Sequence, residues 1–193
     1  MGIFNKLKNI KKENKVEFNY DKFARNLNTE LEGFVKALAE KQEDVYIISI
    51  NYCPDFTTTI GVVANSYTYL NEITSVDDNN YFYYKYCEEE WEKVKGFDSL
   101  SAELQRYYSE LEQKYNSDYE KFEESYKEHS EMIIQMCKSI LKNFQETTTY
   151  KSFPDLLLNV YVREYFDNEE CIRIFEEVNA GKEIAEYAKY ING

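Results

Sequence analysis

Glycine, proline, histidine and tryptophan are all scarce in this chain of 193 residues, which holds six Gly, two Pro, one His and one Trp. So few glycines leave little material for a phosphate-cradling loop, and neither a GxGxxG run nor a P-loop occurs. The lone His129 falls on the apolar stripe of a helical stretch and reads as a packed or rim residue. A Ser-His-Asp or Cys-His arrangement is then left without an organising base. The four cysteines, at 53, 87, 137 and 171, lie far apart with no CxxC pair and read as scattered reduced thiols. A zinc site would need three or four of those distant sulfurs to converge, so no metal is expected. There is no run of 18 apolar residues to span a membrane and no apolar stretch long enough for a signal peptide. Lys6 stands where the myristoylation pattern wants Ser or Thr after Gly2. A cytoplasmic protein is expected.

Basic residues are also in short supply. The 23 Lys plus Arg face 36 Asp plus Glu, a formal charge of −13 that opposes unaided binding to nucleic-acid phosphates. The deficit is uneven, because the first sixteen residues carry +4 and leave −17 on the rest. Residues 1–18 read as a basic leader in which Phe4, Leu7 and Ile10 fall at helical spacing. Residues 19–193 read as one domain, since no repeat or low-complexity linker divides them.

What the chain does have is clear periodicity. Phe23, Leu27, Leu31, Phe34 and Leu38 recur at steps of three and four, which predicts a helix capped by Asp21. The β-branched and aromatic run Val45 to Tyr52, the Pro54-Asp55 turn and the run Thr57 to Asn65 predict an antiparallel strand pair. A short helix after Ser66 and a turn over Asp77 to Asn80 follow, and then Tyr81 to Tyr86 as a third strand with aromatics on both faces. Leu100, Leu104, Tyr107, Leu111 and Tyr115 mark one helix. Ser117 to Glu120 is a capping box that opens another, whose stripe runs from Tyr119 through His129 and Cys137 to Phe144 over roughly 40 Å. These two helices predict a long hairpin. After the Phe153-Pro154 break, Leu156 to Val162 reads as a buried fourth strand, Asp167 caps a further helix, and Gly181 separates it from a last one. The predicted fold class is α+β: one domain, a mainly antiparallel sheet of about four strands covered by helices, with the hairpin between strands three and four.

Two features invite a chemical reading. Glu88, Glu89 and Glu90 precede Trp91, but adjacent acids on a helix diverge instead of converging on one bond. Asp77-Asp78-Asn79-Asn80 is the nearest thing to an oxygen-ligand turn, without EF-hand spacing or its Gly. Trp91 reads as a core plug and Asn65 as a turn or cap residue. The 19 tyrosines are the strongest anomaly of composition. Tyr offers rigid contact area with a polar tip, and acidic neighbours favour a cationic partner; codon bias is the plain alternative.

The stretches VYIISINYCPDFTTTIGVVANSYTYL, YYKYCEEEWEKV and LNVYVREYFDNEECIRIFEEVNAGKEIAEY together resemble a bacterial family of small proteins, domain of unknown function 4303. Tyr46, Gly61 to Asn65, Glu90-Trp91 and Val178-Asn179 carry the likeness, which extends from about residue 20 onward. The Glu88-Glu89-Glu90 segment departs from the family's less charged approach to the Trp. The resemblance implies an α+β fold and, through neighbouring polymorphic toxin genes, an immunity role. The expectation is a non-enzymatic acidic protein, without cofactor, that binds a basic partner such as a toxin domain through Tyr81, Tyr83, Glu88, Glu89 and Glu90. An enzyme built on carboxylates near Trp91 and Asp77 is the second reading. A homo-oligomer pairing through the helices of residues 99–145 is the third.

Overall fold

The computed structural model describes residues 17–54, 58–153, 155–163, 165–180 and 182–193. Nearly all of the basic leader, Asp55 of the expected turn, Thr57, Pro154 and Gly181 lie outside the described residues. The first helix, α1 (Tyr20–Glu40), buries Phe23, Leu27, Leu31, Phe34 and Leu38, the residues of its apolar stripe. Its N-cap is Asn19, whose side chain accepts from the Lys22 N–H, and not Asp21, which sits in the first turn where a carboxylate also favours the helix dipole.

Strands β1 (Val45–Cys53) and β2 (Thr59–Ser66) pair antiparallel, as expected. The order of the single four-stranded sheet is β3-β2-β1-β4, with β3 at Lys93–Gly96 and β4 at Leu157–Val162. β3 joins β2 antiparallel, whereas β4 runs parallel to β1, so one of the three pairings departs from an antiparallel pattern. Gly61 lies opposite Gly96, and a Cβ at Gly61 would come within 2.8 Å of the Lys95 carbonyl oxygen. Only glycine permits that approach.

The third strand differs from expectation. Tyr81 to Tyr86 is a helix, α3 (Tyr81–Tyr86), reached through α2 (Tyr67–Ile73), and the strand that fills the expected place is the charged Lys93–Gly96. Aromatic β-propensity is weak where a tertiary partner decides. Helical spacing lets Lys85 and Tyr86 turn inward together, where alternation along a strand would have sent them to opposite faces. β3 escapes sequence reading because it is four residues long with Lys at positions 93 and 95, the charge that an edge strand carries against further pairing.

Helices α4 (Asp98–Lys114) and α5 (Tyr119–Phe144) form the expected hairpin between β3 and β4. Asp118, and not Ser117, caps α5 by accepting from Lys121 N–H. With α1 they cover one face of the sheet, burying Ile48, Ile50, Tyr52, Val62, Leu158 and Val160. Their stripe is therefore occupied by the chain's own core; Tyr119 and Met132 remain exposed. After α6 (Thr148–Lys151), α7 (Asn168–Asn179) and α8 (Ile184–Asn192) cover the opposite face with α2 and α3. Asp167 caps α7 as expected. A bulge between Val45 and Ile47 shifts the register, and Tyr46 and Ile47 both join the core of that second face.

Candidate functional site

The segment from Tyr81 to Trp91 lies over the second face of the sheet, and every expected contact residue belongs to it. Its first half is anchored from below. Lys85, 5% exposed, places its ammonium 2.9 Å from Glu183 and 2.7 Å from Glu186, on or just before α8. Burial by itself pulls that ammonium down, but the two carboxylates outweigh it and hold its pKa above the usual lysine value. The Tyr86 hydroxyl donates to the same two carboxylates, and its ring meets Tyr187 and Phe175 edge-on. From β1, the Tyr46 hydroxyl donates to the Lys85 carbonyl, while Asn65 Nδ2 donates to the Tyr46 hydroxyl and the Tyr84 carbonyl. Asn65 is thus a tie between sheet and helix, and Ser66 caps α2.

The second half is a single 3-10 turn, Glu88–Glu90, which sends its three acids in different directions. Glu89 is exposed and Glu90 half-buried. The Tyr83 hydroxyl, on a side chain 44% exposed, donates to Glu90 Oε1 at 3.0 Å, while Tyr81 is half-buried in the aromatic cluster. Glu88 turns inward. It is 6% exposed and accepts from Asn159 Nδ2 of β4 at 2.5 Å. The expected surface set thus loses Glu88, because a carboxyl under the turn has no face for a partner.

Burial pushes the Glu88 carboxyl up to about 7, against the downward pull of its backbone bond and of Asn159. Cys171 of α7 is pushed up to about 11 by burial, with the charges of Glu88, Asp167 and Glu170 adding to it, so this thiol is no nucleophile at neutral pH. Tyr161, Tyr187 and Tyr190, whose charged forms Glu88 also opposes, are all raised, chiefly by burial. Around the Glu88 carboxyl, Cys171 therefore supplies no thiolate and Tyr161, Tyr187 and Tyr190 no phenolate at neutral pH. Sequence reasoning missed the inward turn of Glu88; the buried Asn159 in an otherwise apolar β4 is the signal that marks where a polar partner is needed.

The other sequence candidates resolve separately. Trp91 is 4% exposed in the core of the second face, as expected. His129 is packed: its Nδ1 lies 2.7 Å from the Tyr20 hydroxyl, Phe18 and Tyr107 flank its ring, and burial pulls it down to about 3. Asp77 to Asn80 form a turn held by Asp78 Oδ1 on the Asn80 N–H. Among the described residues no group of three or more His, Cys, Asp or Glu is placed to hold a metal ion. Asn179 does to β4 what a neighbouring strand would. Its Oδ1 accepts from Leu158 N–H at 2.8 Å and its Nδ2 donates to Leu158 C=O at 2.7 Å.

The family described as Domain of unknown function (DUF4303) matches residues 27–180. The chain belongs to that family. The matched span takes in all four strands, the Glu88 turn and Asn179, while Glu183 and Glu186, which neutralise Lys85, lie beyond it. No curated protein and no solved structure matches the chain. Within this DUF4303 protein the residues that carried the resemblance prove to be packing and hydrogen-bonding nodes: Tyr46 and Asn65 tie α3 to the sheet, Gly61 admits β3, and Asn179 closes the β4 edge.

Proposed function

We propose that this DUF4303 protein is a non-enzymatic binding protein of the immunity type, which neutralises a basic partner such as a toxin domain through the exposed side of the Tyr81–Trp91 segment. The observation that carries the reading is the Tyr83-Glu90 hydrogen bond: an exposed aromatic and a carboxylate held together, with the exposed Glu89 beside them. The segment beneath is clamped by the Lys85 ion pairs and the Tyr86 rings, so a partner meets a surface that is already ordered and loses little conformational freedom on binding. The contacts are Tyr83, Glu89 and Glu90, with Tyr81 as the half-buried support behind them. The charge of −17 beyond residue 16 steers a cationic partner toward the body of the protein. Of the buried tyrosines, Tyr46, Tyr52, Tyr86, Tyr107, Tyr108 and Tyr187 serve the interior, which confines the recognition argument to exposed ones such as Tyr83.

The test is association with the purified product of the adjacent gene at about 50 mM and about 500 mM salt. Binding that weakens in high salt, and that falls at least tenfold in Glu89→Lys with Glu90→Lys, supports the reading. Absence of binding at both salt concentrations, or binding indifferent to the double charge reversal, defeats it.

A further inference from the structure

The sheet face under the 3-10 turn holds more polar atoms than it has partners for. Ser49 Oγ, Asn51 Oδ1 and Asn159 Oδ1 are buried without a hydrogen-bond partner in the protein, as is one donor, Trp91 Nε1. Ser49, Asn159 and Trp91 are 0%, 2% and 4% exposed. In the parallel register of β1 and β4, Ser49 sits beside Asn159 and Asn51 beside Tyr161, about 5 Å apart from strand to strand. Asn159 is itself bonded to Glu88. Three orphaned oxygens and a buried carboxyl therefore share one small region. Among the described residues no lysine or arginine pairs with Glu88, and no cation contributes to its environment.

Buried oxygens are nearly always satisfied, and a carboxylate withdrawn from water needs a positive or donor-rich neighbour. The region runs from the middle of the two parallel strands, at Ser49 and Asn159, toward their carboxyl ends, the side on which open sheets admit ligands, and half-buried Asn51 and Tyr161 bring it toward the surface. We propose that this face is a binding site for a small organic cation, an ammonium or guanidinium group held by the Glu88 carboxylate and the oxygens of Ser49, Asn51 and Asn159. The inference is independent of the protein-binding reading, since it uses the inward side of the segment and none of the exposed contacts.

The test uses methylammonium and methylguanidinium, with neutral acetamide as the competing class because an amide also offers an acceptor to the Trp91 indole. Each is titrated to about 30 mM, well above the millimolar Kd expected of so small a probe, at constant ionic strength in amine-free buffer. The single Trp, on this same face, reports by fluorescence and by its indole N–H resonance. The expected result is saturable binding of either cation, at least tenfold tighter at pH 8 than at pH 5, and at least tenfold weaker in Glu88→Gln at pH 8. Of the groups facing Glu88, Cys171, Tyr161, Tyr187 and Tyr190 keep their protons over that interval. Cys87 and Glu89 adjoin it and act alike on the wild type and the variant, so the difference isolates Glu88. Equal binding by the folded Glu88→Gln variant, acetamide binding as well as the cations, or no saturable response in the wild type overturns the proposal. Should Glu88→Gln fail to fold, the wild-type titration decides, and an affinity flat from pH 5 to pH 8 counts as refutation.

Discussion

Replacing Glu88 by Gln should stabilise the protein, and do so only where the acid would be ionised. The glutamine keeps a side-chain oxygen to accept from Asn159 Nδ2, so the 2.5 Å contact has a replacement. The sign follows from the direction of the shift. Burial raises the folded-state value to about 7 from 4.5, so Glu88 binds its proton more tightly folded than unfolded. Its contribution to stability is fully present below about pH 4.5 and is lost as pH rises through 7. At pH 8 nearly the whole displacement counts, about 3 kcal/mol; at pH 5 about 1 kcal/mol has been lost. Urea unfolding of both proteins, in phosphate to avoid amine buffers, should therefore show Glu88→Gln gaining about 2 kcal/mol more on the wild type at pH 8 than at pH 5. The effect belongs in the midpoint, with an unchanged slope. The pH dependence of every other group is common to both proteins and cancels. A difference that is the same at both pH values would refute the account of Glu88 as a buried acid lacking a cation, and greater stability of the wild type at pH 8 would reverse its sign.

Two further substitutions probe the scaffold. Asn179→Leu keeps the volume approximately but orphans the Leu158 N–H and C=O that Asn179 satisfies at 2.8 and 2.7 Å, and should cost about 2–5 kcal/mol in urea unfolding; a change below about 0.5 kcal/mol would show that the β4 edge does not need this closure. His129 works in the opposite pH direction from Glu88. Burial pulls its folded value to about 3 from 6.5, so its contribution is present above pH 6.5 and is lost as pH falls toward 3. The loss of stability between pH 7 and pH 4 should shrink by about 3 kcal/mol in His129→Gln, read from unfolding at the two pH values; an unchanged acid loss would mean that the imidazole is not held neutral in the core.

The two halves of the molecule differ in how far they can be read from residues alone. α1, α4, α5 and α7 announce themselves because each lays a 3.6-residue stripe on the sheet, and the stripe is a property of the helix's own sequence: Phe23 to Leu38, Leu100 to Leu111, Ile133 to Phe144. β1, β2 and β4 are legible for a similar reason, being β-branched runs buried along most of their length. The Tyr81–Tyr86 segment carries no such internal evidence. Five of its six residues are aromatic wherever they point, and what makes them helical is the ion-paired Lys85 and the ring of Tyr86 against α8, roughly a hundred residues away.

The candidate site divides along the same line. Glu88, Glu89 and Glu90 are visible in the chain as an acidic run, and their divergence on a turn was foreseeable from backbone geometry. Which of them faces inward was not, because that depends on Asn159 lying beneath, and Asn159 is brought there by a parallel pairing of β4 with β1 across more than a hundred residues. Sequence by itself determined the α+β class, the helical stripes, the strand runs and the acidic charge, all set by local spacing and composition. Tertiary structure alone decided the strand order, the helical state of Tyr81–Tyr86 and the burial of Glu88, since each rests on contacts between residues that no local pattern connects.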